Sequence, residues 1–164
     1  MGTVAIVDYG VGNLKSVANA LSYLGCSSCI TADPAELERA DAIILPGVGA
    51  FPDAADRLRS GGLDQHVLAQ GQKKPVLGIC LGMQLLLEQG REVRPCPGLG
   101  VIRGTVDRIP TQSKLPHIGW NSLRFFHHSP LFRGLDEGAY VYFVHSFSAQ
   151  DTDPAQVIAV TDYG

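Results

Sequence analysis

The sequence predicts an open, mostly parallel α/β sheet with flanking helices, followed by a β-rich, antiparallel second half. Three observations carry that expectation. Short apolar runs alternate with amphipathic stretches through residues 3–90, and strands joined by helices pair in parallel through right-handed crossovers. Beyond residue 100 the helix signals fade and apolar residues alternate imperfectly with polar ones, as in antiparallel strands with one wet face. The length, 164 residues, suits one domain over 1–164 with one hydrophobic core.

The elements follow in order. Thr3 to Tyr9 is a mostly apolar run bounded by Gly10, so a buried strand. Asn13 can cap a helix with Leu14, Val17, Ala18, Leu21 and Leu24 on one face, and Gly25 closes it. Ser28 to Thr31 is a second strand, and Asp33-Pro34 opens a short helix ending near Ala40. Ala42 to Leu45 is a third strand, stopped by Pro46-Gly47. Helical stretches lie around Asp53 to Ser60 and Leu63 to Gly71. Pro75 to Ile79 is a fourth strand, and Leu81 to Gln89 reads as a helix ended by Gly90. Strands are expected around Val101 to Ile109, Ile118 to Phe126, Tyr140 to Phe147 and Val157 to Thr161.

Composition excludes several classes. Hydrophobic residues make up 45% and charged residues 18%, an ordinary globular balance. A net charge of -3 gives no general attraction to nucleic acid or acidic lipid. No apolar run is long enough to span a membrane. The start has no basic segment before its apolar stretch, so it reads as a strand and not as a signal peptide. A reducing, cytoplasmic setting is the default for the four cysteines. Cys26-Ser27-Ser28-Cys29 follows a helix stop and leads into a strand, the wrong context for a redox pair, so both are read as incidental thiols, one facing the core. No metal site is expected: His127 and His128 are adjacent and would point to opposite faces of a strand.

The sharpest local signal is Gly78-Ile79-Cys80-Leu81-Gly82, between the fourth strand and a helix. It has the spacing of a nucleophile elbow. A strand that turns abruptly into a helix strains the turn residue, and glycine on both sides leaves room. The thiol then stands at the carboxyl end of the sheet, where open α/β folds bind ligands. A buried structural cysteine at a strand end is the rival reading. Pro46-Gly47-Val48-Gly49-Ala50-Phe51 follows the third strand. Its backbone N–H groups can face an anion such as a tetrahedral acyl intermediate. A plain connecting loop is its rival, and a phosphate cradle is weaker because no Lys-Ser/Thr follows.

Together these segments resemble the class I, Cys-His-Glu triad glutamine amidotransferases. Asp8-Tyr9-Gly10-Val11-Gly12-Asn13-Leu14, Pro116-His117-Ile118-Gly119-Trp120-Asn121 and Tyr142-Phe143-Val144-His145-Ser146-Phe147 look like the amidotransferase subunits that feed a cyclase in histidine biosynthesis. The resemblance implies a flavodoxin-like fold and no cofactor. It implies hydrolysis of L-glutamine to glutamate through a thioester on Cys80. Ammonia then passes to a (β/α)8-barrel cyclase partner, forming a heterodimer that makes imidazole glycerol phosphate. By the family pattern, Gly47, Val48 and Gly49 supply the oxyanion site, with a peptide at Val48 that flips under the partner's control. Gln84, His145, Ser146 and Phe147 bind the substrate. Asn13, Pro116, His117, Trp120 and Asn121 face the cyclase.

Each role has a plainer rival. Gln84 sits one helical turn from Cys80 and faces either the cleft or solvent. His117 follows a proline, as a surface loop histidine would. His145 lies in an apolar strand, as a hydrogen-bonded core histidine would. The family's base and its orienting acid form a His-x-Glu pair near the C-terminus. None of His66, His117, His127, His128 and His145 has Glu two residues later. The expectation is therefore a domain incomplete at its C-terminus, inactive by itself, with a non-catalytic cyclase-docking module as the alternative.

Overall fold

The computed structural model describes residues 2–164. Its first half is a four-stranded parallel sheet of β1 (Thr3–Val7), β2 (Ser27–Thr31), β3 (Ala42–Leu45) and β4 (Val76–Gly78), in the order β2-β1-β3-β4. The helices between them are α1 (Leu14–Tyr23), α2 (Pro34–Arg39), α3 (Phe51–Ser60) and α4 (Leu63–Gly71).

The local chemistry explains the helix boundaries. The Asn13 side chain accepts from the Ser16 N–H to start α1, and Asp33 accepts from Ala35 to start α2 ahead of Pro34. Gly25 adopts φ 72° just after α1, the left-handed step that ends helices at low steric cost.

The strands are all parallel, but the direction in which they are laid down reverses, stepping from β1 out to β2 and then back across β1 to β3. Right-handed crossovers therefore put α1 on the opposite face from α2, and α1 packs against β2 and β1. Ala5, Val7, Ile43 and Leu45 point to the other face and join Leu37, Ala54, Leu58, Leu63 and Val67 in the core. Burying each large aliphatic side chain contributes about 1.5–3 kcal/mol. The α1 face is thinner than its periodicity predicts. Leu14, Val17, Ala18 and Leu21 are half-buried, while Leu24 is 70% exposed and falls outside the packed stripe. On the same side of the sheet, Leu77 of the edge strand β4 is partly exposed.

After the elbow the expected helix Leu81 to Gln89 is corrected. Helix α5 spans only Leu81–Leu85, and Leu87–Gly90 forms β5. Tertiary pairing wins over a weak helical preference: β5 lies between β6 (Cys96–Pro97) and β7 (Ile102–Arg108), with β11 (Phe147–Gln150) beyond β7. Leu87 is fully buried there.

The second half is largely antiparallel. β8 (His117–Ser122) pairs with β10 (Tyr140–His145), β9 (Arg124–Phe125) with β12 (Ala159–Val160), and β11 with β7. β5 and β7 are the parallel exception. The broad strands expected over Ile118 to Phe126 and Tyr140 to Phe147 each break into two elements. Among the described residues, no helix is long and apolar enough to cross a membrane.

Candidate active site

The elbow is built by close packing of backbone. Cys80 has φ 54° and ψ -115°, a region that side chains other than glycine occupy only under strain. The surroundings impose it. The Ile79 N–H donates to the Leu45 carbonyl and the Gly82 N–H to the Ile79 carbonyl, fixing the chain on both sides of the thiol. A side chain at Gly82 would overlap the Leu45 carbonyl, and one at Gly78 would overlap the backbone of Met83. Glycine at both positions therefore lets the turn lie directly against β3. The thiol is left exposed, which removes the buried structural reading.

Cys80 opens into a cleft of about 420 Å³, in the range that holds small polar metabolites. Its walls come from several segments of the chain. Val48 and Gly49 lie on one side, Leu81 and Gln84 on another, and His145, Ser146 and Phe147 close it. Gly47 is not in the wall. It packs behind, where any side chain would meet the Gly82 N–H and the Tyr9 hydroxyl.

The loop before the cleft is held from below. The buried Tyr9 hydroxyl donates to the Pro46 carbonyl at 2.7 Å. Burial pushes the Tyr9 phenol well above its ordinary pKa, so it remains a donor. Among the described residues, no hydrogen bond engages the N–H of Val48, Gly49 or Leu81. Donors of this kind beside a nucleophile are what a developing oxyanion needs. The Leu81 N–H was missed in the sequence reading, although its place after the elbow cysteine is itself a signal.

Gln84 faces the cleft and not solvent. It is 8% exposed, and its Nε2 donates to the Phe147 carbonyl at 3.1 Å. Glu92 is a second residue that sequence reasoning missed. Its carboxylate accepts from the Phe51 N–H at 2.8 Å, capping α3, and it lines the cleft. Only the loop following β5 brings it there. Helical periodicity through Gln89 gives no hint of that placement.

His145 also lines the cleft, but both its ring nitrogens are engaged. Nδ1 lies 2.9 Å from the Phe147 carbonyl and Nε2 lies 3.3 Å from Nδ1 of His117. It is therefore not poised to take a proton from Cys80.

The group expected to face the partner separates. Strand alternation puts Ile118 and Trp120 on the outer face of β8, 59% and 68% exposed, while His117 points inward at 3%. This burial corrects the surface-loop reading of His117. Asn121 also points inward, donating to the Asp162 carbonyl at 2.8 Å. Pro116 lines the cleft. Asn13 is exposed and serves as the α1 cap. Cys26 is exposed; Cys29 is half-buried against the core, and its thiol is pushed up by that burial and by Glu36. No group of three metal-ligating side chains occurs among the described residues.

A family model described as "Glutamine amidotransferase class-I" matches residues 5–164. The chain is 47% identical over 164 residues to "Imidazole glycerol phosphate synthase subunit HisH" of Bacillus cereus, covering 98% of this chain and 77% of the relative. It is 47% identical over 162 residues to the protein of the same name in Oceanobacillus iheyensis, covering 98% of this chain and 81% of the relative. Among solved structures, one described as a glutamine amidotransferase matches with a TM-score of 0.75 at 20% identity, covering 96% of this chain and 79% of that one. The structure of PurLQS from Thermotoga maritima matches with a TM-score of 0.72 at 19% identity, covering 100% and 76%. At that identity the structural matches speak for the fold.

Proposed function

This chain belongs to the class-I glutamine amidotransferases, and on that premise we propose that it is the glutaminase subunit of imidazole glycerol phosphate synthase, acting in histidine biosynthesis. The observation that carries the reading is the strained Cys80, exposed at the sheet's carboxyl end in a cleft lined by Val48, Gly49 and Leu81, whose N–H groups make no hydrogen bond among the described residues.

The chemistry follows from the placement. Cys80 Sγ attacks the side-chain carboxamide carbon of L-glutamine. The carbonyl oxygen becomes an oxyanion, received by the N–H groups of Val48, Gly49 and Leu81. Collapse breaks the C–N bond, the nitrogen takes a proton and leaves as ammonia, and a thioester remains on Cys80. Water then adds to the thioester, releasing glutamate and restoring the thiol.

The Glu92 carboxylate is the partner for the substrate's α-ammonium. The Ser146 and Phe147 backbone receives the α-carboxylate, and Gln84 holds the substrate's flank. The proton shuttle is the family's His-x-Glu pair. His145 does not replace it, because its two nitrogens are already bonded.

Residues 1–164 belong to a single amidotransferase domain in the cytoplasm, and the ammonia passes to a (β/α)8-barrel cyclase in a heterodimer. The exposed ladder of Ile118, Trp120, Tyr142 and Val144 is the face offered to that partner.

The test uses 6-diazo-5-oxo-L-norleucine, a glutamine-mimicking electrophile. Mass spectrometry should find one adduct, on Cys80, suppressed by excess glutamine and absent in Cys80→Ala. An inert Cys80 in a chain that still binds the cyclase would replace the glutaminase reading with a docking module.

A further inference from the structure

His117 is walled in on both faces of its ring. Phe143 stacks at 4.8 Å between centroids on one contact and Tyr163 at 3.8 Å on the other. With 3% exposure, its ring nitrogens must find partners inside the protein or go without. Nδ1 lies 3.3 Å from Nε2 of His145, directly across the antiparallel β8–β10 pair.

The far end of this contact fixes the protons. His145 Nδ1 lies 2.9 Å from the Phe147 carbonyl. A carbonyl only accepts, so His145 Nδ1 carries a proton. A neutral imidazole then has a lone pair on Nε2, and His117 fills it by donating from Nδ1. A cationic His145 would donate in both directions, but among the described residues no carboxylate is hydrogen-bonded to either ring. Burial and the neighbouring His145 also hold the His117 pKa down, in keeping with a neutral pair.

The chain of bonds ends in the substrate cleft. The Phe147 carbonyl also accepts from Gln84 Nε2 at 3.1 Å. That bond sets the orientation of the Gln84 amide, turning Oε1 away from Phe147 as the acceptor left for a ligand. One backbone oxygen is thus held by His145 from one side and by Gln84 from the other.

We propose that His117 is a positioning residue for the glutamine site: its Nδ1–H holds the His145 ring in the orientation that engages the Phe147 carbonyl, which in turn orients Gln84. The inference rests on the glutaminase reading for its consequence, not for its geometry. His117 touches no substrate, and its effect travels through two neutral hydrogen bonds. Losing the first leaves a buried acceptor on His145 unpaired and removes the contact that holds its ring in place. The ring is then free to turn, and its Nδ1–H no longer lies in line with the Phe147 carbonyl. The carbonyl then moves, and Gln84 loses its anchor.

Two measurements test this. In the full chain labelled with ¹⁵N-histidine, long-range ¹H–¹⁵N correlation near neutral pH should show both His117 and His145 as Nδ1–H tautomers. A Nε2–H tautomer at either residue overturns the proposal whatever the activity. In the intact synthase, His117→Leu should raise the glutamine KM about tenfold, the scale of one lost hydrogen bond with a stranded partner, with a smaller fall in kcat. His117→Asn, whose amide N–H takes the place of Nδ1–H, should restore KM to within about threefold. Equal behaviour of the Leu and Asn variants overturns the relay. A wild-type synthase that fails to hydrolyse glutamine would sink the glutaminase reading instead, and the tautomer measurement would still decide the geometry.

Discussion

The Tyr9 hydroxyl donates to the Pro46 carbonyl across 37 residues of sequence, at 2.7 Å and out of contact with solvent. This bond ties the end of β1 to the start of the loop that presents Val48 and Gly49. Tyr9→Phe keeps the ring and strands the carbonyl, which costs about 1–3 kcal/mol. The expected result is a lower urea midpoint with unchanged m-value, together with faster amide exchange at Gly47 and Val48. Unchanged exchange would show that the loop is held by packing alone.

Cys80 offers a second prediction, about strain. Its φ of 54° suits glycine better than any residue with a Cβ. Cys80→Gly should therefore be more stable than Cys80→Ala by about 1 kcal/mol. Both remove the thiol, so only the backbone differs. Equal stabilities would mean that the elbow relaxes when the cysteine is replaced. By contrast Gly82→Ala, whose methyl would overlap the Leu45 carbonyl, should lose several times that amount.

The difference between these two positions shows what the sequence could disclose. Glycine spacing around Cys80 identified the turn because a strand-to-helix reversal admits few residues. The parallel strands and their caps were legible for the same local reason, as at Asp33-Pro34. Three facts were not legible. The short α5 depends on β5 pairing with β7, a contact set at a distance. Glu92 reaches the cleft only through that pairing. The burial of His117 depends on which way β8 faces, and alternation alone fixes the period of a strand without fixing its inner side.

His117 also makes stability depend on pH. Burial first, and repulsion from His145 second, hold its pKa below the ordinary 6.5. Below that value the unfolded chain binds a proton that the folded chain resists. Stability is therefore full above about pH 6.5 and is lost as pH falls toward the depressed folded value. The groups around the ring are His145, Phe143 and Tyr163. Urea midpoints of the wild type measured from about pH 7.5 down to about pH 5 should decline more steeply than those of His117→Asn. Parallel curves would show that other groups carry the dependence.

The last prediction separates folding from association. Trp120 is 68% exposed and meets Tyr142 edge-on, with centroids 5.6 Å apart. Val144 and Ile118 form the adjacent cross-strand pair, both about 60% exposed. A folded chain gains little from such residues, so Trp120→Ala should change unfolding free energy by no more than about 0.5 kcal/mol. An aromatic anchor buried by a partner behaves differently, and its truncation costs about 2 kcal/mol or more. Affinity for the synthase partner should then fall about 30-fold. The Cys80 adduct should form as before, because Trp120 is not in the cleft wall. Titration calorimetry against the partner, with urea unfolding of the isolated chain beside it, reads both quantities. A large loss of stability with unchanged affinity would assign the ladder to the fold. A loss of affinity at constant stability assigns it to the interface.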